Sequence, residues 1–156
     1  MFHLMRLKQC KLWVRAMKKD KSLIIGSGRL GSGIAGKLSD MGYNVLIVDK
    51  DNSSFRKLTD NFSGYDVVGD ATDLSILESE ALIKEVNEVI ITTDSDNVNL
   101  FIAHVCFYIY DIPHIYVRFS DTDKGKLIEN TTIQGIYPFT LSITDFLEKR
   151  DESAKL

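Results

Sequence analysis

Gly26, Gly28 and Gly31 stand at the spacing G-x-G-x-x-G, directly after the apolar run from Ser22 to Ile25. That spacing suits the phosphates of a nucleotide. A first glycine permits a tight turn, a second lets a pyrophosphate approach the backbone, and a third lets a helix pack closely on the preceding strand. The unpaired N–H groups of the helix N-terminus then face the anion. Ser27, Arg29 and Leu30 complete the turn, and Arg29 places a cation where the helix dipole favours an anion as its neighbour. Asp49 follows a second apolar run, 21 residues beyond Gly28, the separation at which a ribose hydroxyl finds its acceptor. A carboxylate there repels a 2′-phosphate and so favours NAD over NADP, a preference that the adjacent Lys50 softens. The structural alternative for Asp49 is an ordinary helix N-cap.

These groups need a frame, and the pattern around them supplies one. Short apolar runs at 22–25, 44–48, 66–68, 89–91, 114–117 and 133–136 read as strands. Helical stretches lie between and after them at 30–41, 53–62, 74–83, 98–110, 123–129 and 140–149. In the first of these, Leu30, Ile34, Leu38 and Met41 recur at helical spacing, and Gly42 follows as a C-cap glycine. Such alternation predicts an α/β fold: a Rossmann-like, doubly wound, mainly parallel six-stranded sheet with helices on both faces. The polar residues then cluster, because Gly26 to Gly31, Asp49, Asp70 to Thr72, Thr93 with Asp94, and Arg118 each follow the C-terminal end of a strand. Open α/β sheets bind ligands at that edge. Helix 98–110 is apolar round its whole circumference, so its outer face is expected to pack on another subunit.

Length and composition allow one globular domain: 156 residues, 44% hydrophobic, 26% charged, with only two prolines. Cys10 and Cys106 lack any zinc or C-x-x-C spacing, which fits a reducing cytoplasmic compartment. No apolar stretch is long enough to span a bilayer, and no nucleic-acid partner is implied. Charge is distributed unevenly. Residues 1–21 carry seven Lys or Arg against one Asp, a net of +6, so the remainder must carry −9 to reach the total of −3. Segment 1–20 reads as a basic extension, with residues 1–16 added from a start codon upstream of Met17, as a disordered tail, or as an amphipathic surface anchor. Residues 21–150 form the domain, and 151–156 a polar tail.

Catalysis finds little support in these residues. His3, His104 and His114 have no serine or cysteine in register, and the chain contains no Tyr-x-x-x-Lys pair. A dehydrogenase also needs a substrate region, for which 156 residues leave no room. Asp94, Asp96 and Asn97 offer oxygen ligands for a hard cation, yet they precede a helix and read better as its caps, so no metal site is assigned.

The runs GSGRLG, IVDKD, VVGDATD and TTDSDNVN, then VR at the fifth strand's end and IYP near Pro138, together resemble one family. It is the N-terminal nucleotide-binding domain of TrkA-type potassium-uptake regulators, also called the RCK or KTN domain. The resemblance runs over residues 21–148, and the GDAT element makes it more specific than the glycines alone. It implies a non-enzymatic regulatory subunit that binds NAD(H) or ATP, ADP or AMP. It also implies assembly as a homodimer or ring, with copies of itself or a related chain, on a membrane potassium channel or transporter. The resulting location is cytoplasmic, peripheral to the inner face of the cell membrane. Gly26, Ser27, Gly28, Arg29, Leu30 and Gly31 would hold the phosphates, Asp49 and Lys50 would border the ribose, and Asp70, Ala71 and Thr72 the adenine. Thr93 and Asp94 would line the distal half, and Arg118 would reach the phosphates. Many members continue into a second domain, so a chain ending soon after Pro138 reads as a stand-alone module. The competing expectations are a small NAD(P)-dependent oxidoreductase and a structural RCK-like subunit without ligand.

Overall fold

The computed structural model describes residues 21–153; the basic segment 1–20, with His3 and Cys10, and residues 154–156 lie outside them. Six strands make one sheet: β1 (Lys21–Ile25), β2 (Asn44–Asp49), β3 (Tyr65–Val68), β4 (Glu88–Ile91), β5 (His114–Arg118) and β6 (Ile133–Ile136). Their order is β3-β2-β1-β4-β5-β6, and every pairing is parallel. The doubly wound expectation is met, with a sheet that is wholly parallel. Strand order reverses between β1 and β4, and in such sheets the crevice at that switch point receives ligands.

Both faces of the sheet are covered, so its central strands are apolar at consecutive positions instead of alternating. Leu23 and Ile25 of β1 join a large core with Leu46, Val48, Val89, Ile91, Ile115 and Val117. Helix α2 (Leu74–Ser79) and helix α3 (Asp96–Tyr108) contribute Leu77, Ile102, Ala103 and Cys106 to that core. The intervening residues Ile24, Val45, Ile47 and Ile90 form a smaller core on the opposite face. Helix α1 (Arg29–Asp40) covers it through Ala35.

Several segments fold differently from the sequence expectation, and packing explains why. The buried residues of α1 are Gly31, Ser32, Ala35 and Gly36, while Ile34 and Leu38 lie at its flanks. Met41 is 69% exposed, so it does not belong to the core face. The helix sits too close to the sheet for large side chains along its centre line. Segment 53–62 contains only a 3-10 helix, Asn52–Lys57, capped by the Asp51 carboxylate. Phe55, Leu58 and Phe62 still pack on the small core, so the apolar spacing reports burial there without an α-helix. Helix α2 stops at Ser79, and a separate 3-10 turn occupies Ile83–Glu85. The segment expected as a helix at 123–129 is likewise 3-10, Thr122–Ile128.

The last helix, α4 (Pro138–Ser153), continues three residues into the stretch read as a polar tail. It buries no residue, and Phe139, Leu141, Ile143, Phe146 and Leu147 are all exposed. On α3, Phe101 and Tyr108 are exposed while the opposite side enters the core, as the circumferential apolar pattern of that helix requires. Among the described residues no helix is long and apolar enough to cross a membrane.

Cys106 is buried in the large core, and desolvation pushes its thiol pKa up to about 12. Only the thiolate reacts, so in a Cys10→Ser background a maleimide reagent is expected to leave the native protein unmodified at neutral pH. Labelling should appear only with unfolding, tracked by mass shift across a urea series.

Candidate functional site

The glycine turn crosses from β1 to α1 at the switch point, and two of its glycines are required by the fold itself. Gly26 has φ +99°, and a Cβ there would lie 2.9 Å from the backbone of Thr92 and Thr93 at the end of β4. A Cβ on Gly31 would lie 1.9 Å from the Gly26 carbonyl oxygen and 2.6 Å from Thr92 Oγ1. Thr92 Oγ1 fixes this crossing by donating to the Gly26 carbonyl at 3.0 Å. Gly28 differs from both. Its φ is an ordinary −73°, and a Cβ would meet nothing within 4 Å. The open space above Gly28 is on the surface where a pyrophosphate would approach.

Gly28 is also the N-cap of α1, and neither a side-chain cap nor an acidic residue serves that first turn. By contrast Asp73 caps α2 and Ser95 caps α3. The first N–H groups of α1 therefore retain their capacity to bind an anion. Arg29 is exposed in the same turn and forms no ion pair among the described residues. Leu30 is half-buried beside it. Ser27 points the other way: it is fully buried, with its hydroxyl 3.0 Å from Ser32 Oγ. Its side chain therefore braces the turn from beneath.

Asp49 ends β2 beside this turn. Its Oδ2 accepts the Ser27 N–H at 2.6 Å, and its Oδ1 accepts the Asp51 N–H at 2.8 Å. The N-cap of the following 3-10 helix is Asp51, not Asp49, which removes the capping alternative. Each carboxylate oxygen accepts more than one hydrogen bond, so Asp49 can brace Ser27 and still receive a ribose hydroxyl. Lys50 follows it and is exposed.

After β3, Asp70 Oδ1 accepts both the Thr72 hydroxyl at 2.7 Å and the Thr72 N–H at 2.9 Å. The hydroxyl, then the N–H, and more weakly the Lys50 charge hold the Asp70 carboxyl below its ordinary range. Ala71 lies buried between these exposed neighbours. Beyond β4, Thr93 is half-buried and Asp94 exposed. The Arg118 guanidinium, at the end of β5, donates from Nη1 to the Thr93 carbonyl at 2.8 Å and from Nη2 to Ser120 Oγ at 3.3 Å. The predicted residues thus fall along one edge of the sheet, from β3 across the switch point to β5.

Two side chains in this edge escaped sequence reasoning. Asn99, fully buried on α3, bonds to both Thr93 and Arg118. Asp96, considered only as a helix cap or cation ligand, accepts the Ser120 and Asp121 N–H groups through both oxygens. An asparagine three residues after the Ser95-Asp96 that opens α3 is the available signal, but nothing local shows that it reaches a second strand. No cluster of metal-ligating side chains occurs among the described residues.

The sequence pattern of the TrkA-N domain matches residues 22–137, which include all of the sheet but Lys21 and the whole of this edge. The chain belongs to the TrkA-N domain family. Among known relatives, the Trk system potassium uptake protein TrkA of Streptomyces coelicolor is 31% identical over 111 residues, 71% of this chain and 49% of that protein. The chain thus spans about half the length of that relative. Among solved structures, the NAD(P)-binding domain of an exopolyphosphatase-related protein from Archaeoglobus fulgidus superposes with TM-score 0.68 at 27% identity, covering 84% of this chain and 97% of that one. The GsuK channel bound to NAD shares this TrkA-N fold with TM-score 0.72 at 24% identity, covering 86% of this chain and 24% of the channel. GsuK bound to ADP gives TM-score 0.71 at 20% identity, covering 85% and 36%.

Proposed function

We propose that this TrkA-N domain is the nucleotide-sensing part of a potassium-uptake regulator, with NAD(H) or ATP, ADP or AMP as its regulatory ligand. The observation that carries this reading is the uncapped N-terminus of α1, open above Gly28 at the switch point and flanked by Arg29 and Asp49. Gly26, Gly28, Gly31 and Arg29 hold the phosphates, Asp49 takes the ribose, and Asp70 to Thr72 border the adenine. Thr93, Asp94 and Arg118 line the far half. Binding supplies no chemistry in this scheme. It acts by favouring one conformation of an assembly over another, which requires unequal affinity for the two.

The partner is a membrane potassium channel or transporter subunit, and the domain works at the cytoplasmic face of the membrane. The kinship with a TrkA protein of a potassium-uptake system supports that assignment. Calorimetric titration with NADH, NAD, ATP, ADP and AMP tests the ligand claim, and absence of heat with all five would remove it.

Assembly as a homodimer or ring is supported by the exposed apolar residues. Phe101 and Tyr108 stand outward on α3, and α4 presents Phe139, Ile143, Phe146 and Leu147 on one side. Soluble monomers seldom leave so many large apolar side chains together in water. Phe101→Asp with Tyr108→Asp is expected to shift native mass spectra from oligomer toward monomer while the melting transition stays cooperative. Unchanged mass would remove α3 from the interface.

A further inference from the structure

Asn99 is fully buried, and its amide is saturated. Oδ1 accepts the Thr93 N–H at 3.1 Å and the Thr93 hydroxyl at 2.5 Å. Nδ2 donates to the Thr93 carbonyl at 3.0 Å and to the Arg118 carbonyl at 2.9 Å. A flipped amide would set its oxygen against two carbonyls and its NH2 against a backbone N–H, so this network admits one orientation. The Thr93 carbonyl accepts the Arg118 guanidinium as well, at 2.8 Å. Asn99 therefore fixes both the strand end that carries Arg118 and the carbonyl against which its guanidinium rests. Two of the five donors of that guanidinium are engaged, by Thr93 and Ser120, leaving the others for an anion.

Position in the sheet gives this network a specific meaning. Asp49 and Asp70 follow β2 and β3 on one side of the switch point, while Thr93 and Arg118 follow β4 and β5 on the other. An adenosine monophosphate anchored on Asp49 with its phosphate at α1 would end near the crevice, short of the ends of β4 and β5. A second phosphate or second nucleoside continues toward Arg118. We propose that Asn99 is a positioning residue that holds Thr93 and Arg118 for the distal part of the ligand, so that the domain distinguishes ADP and NAD from AMP. The proposal rests on the nucleotide-binding reading above. A purely structural Asn99 would satisfy the same buried backbone groups but would affect all three ligands alike.

The test is calorimetric titration of the full chain with AMP, ADP and NAD, for the wild type, Asn99→Ala, Arg118→Met and the double variant. Wild type is expected to bind ADP and NAD more tightly than AMP. Each single variant should weaken ADP and NAD roughly tenfold, the scale of one charge-assisted hydrogen bond, with AMP nearly unchanged. If Asn99 acts through Arg118, the double variant is no weaker than Arg118→Met, since coupled sites are non-additive. Equal weakening of all three ligands by Asn99→Ala, no weakening of any, or additive losses in the double variant would each overturn the proposal. Should Asn99→Ala lack a cooperative melt, Asn99→Ser, whose hydroxyl both donates and accepts without adding charge, carries the same comparison. Wild type binding none of the three would instead overturn the nucleotide reading itself, a distinct outcome.

Discussion

Gly31→Ala is expected to damage the fold, whereas Gly28→Ala should leave the fold intact and remove the nucleotide. The contrast follows from where each new methyl would go. At residue 31 it meets the Gly26 carbonyl at 1.9 Å, a backbone atom itself held by the Thr92 hydroxyl. Helix and turn must separate to admit it, and overpacking against backbone costs about 3 kcal/mol or more. For a domain of this size that lowers the melting temperature by roughly 10 °C. At residue 28 the methyl enters open space with φ −73°, so stability should change by no more than about 1 kcal/mol. That same methyl occupies the approach to the first N–H groups of α1. Losing two hydrogen bonds to a phosphate weakens binding by about a hundredfold. Thermal melts paired with calorimetry check both, and a Gly28→Ala protein with undiminished affinity would place the ligand elsewhere.

Asp49→Ala is expected to lower affinity and stability together, for two separable reasons. The substitution removes the acceptor of a ribose hydroxyl, and it also orphans the Ser27 N–H, whose residue is fully buried in the turn. A buried donor left without a partner costs about 1–3 kcal/mol, and the turn that cradles the phosphates loosens with it. Affinity for NADH should fall by at least about tenfold. Loss of the carboxylate also removes repulsion toward a 2′-phosphate, so the ratio of NADPH to NADH affinity should rise. Asp49→Asn separates the effects, since it keeps one acceptor oxygen for the turn while discarding the charge. Unchanged NADH affinity in Asp49→Ala would exclude the assigned ribose contact.

The legible features in the sequence were those that depend on local rules. Consecutive apolar residues such as Leu23 to Ile25 and Val45 to Val48 announced strands buried on both faces, because only a covered parallel sheet tolerates them. The glycine spacing announced the turn, since positive φ and close helix packing are properties of single residues. Asp49 could be counted out from Gly28. Helical lengths were less legible. Segment 53–62 has helical apolar spacing yet holds only the 3-10 helix Asn52–Lys57, and segment 123–129, expected as a helix, folds as the 3-10 helix Thr122–Ile128. Their carboxylate caps, Asp51 and Asp121, start short 3-10 helices, and Phe55, Leu58, Phe62 and Ile128 then reach the core without an α-helix.

The face of α1 illustrates a different limit. Leu30, Ile34, Leu38 and Met41 recur at helical spacing, and Ile34 and Leu38 do pack on the small core, but Gly31, Ser32, Ala35 and Gly36 occupy the buried centre line. Hydrophobicity alone ranks Leu above Gly, whereas the closeness of the Gly26 carbonyl reverses that ranking.

Sequence by itself determined the class of fold, the order of its strands' polar ends and the glycine turn, because each follows from periodicity or from the backbone freedom of one residue. Only the tertiary structure decided how those ends are joined. Asn99 reaching Thr93 and Arg118, Asp96 holding the loop after β5, and Asp49 bracing Ser27 are all contacts between different segments. Their partners lie up to 25 residues apart in the chain, beyond the range of any local pattern, and become neighbours only when the parallel crossovers bring every strand's C-terminal end to one edge.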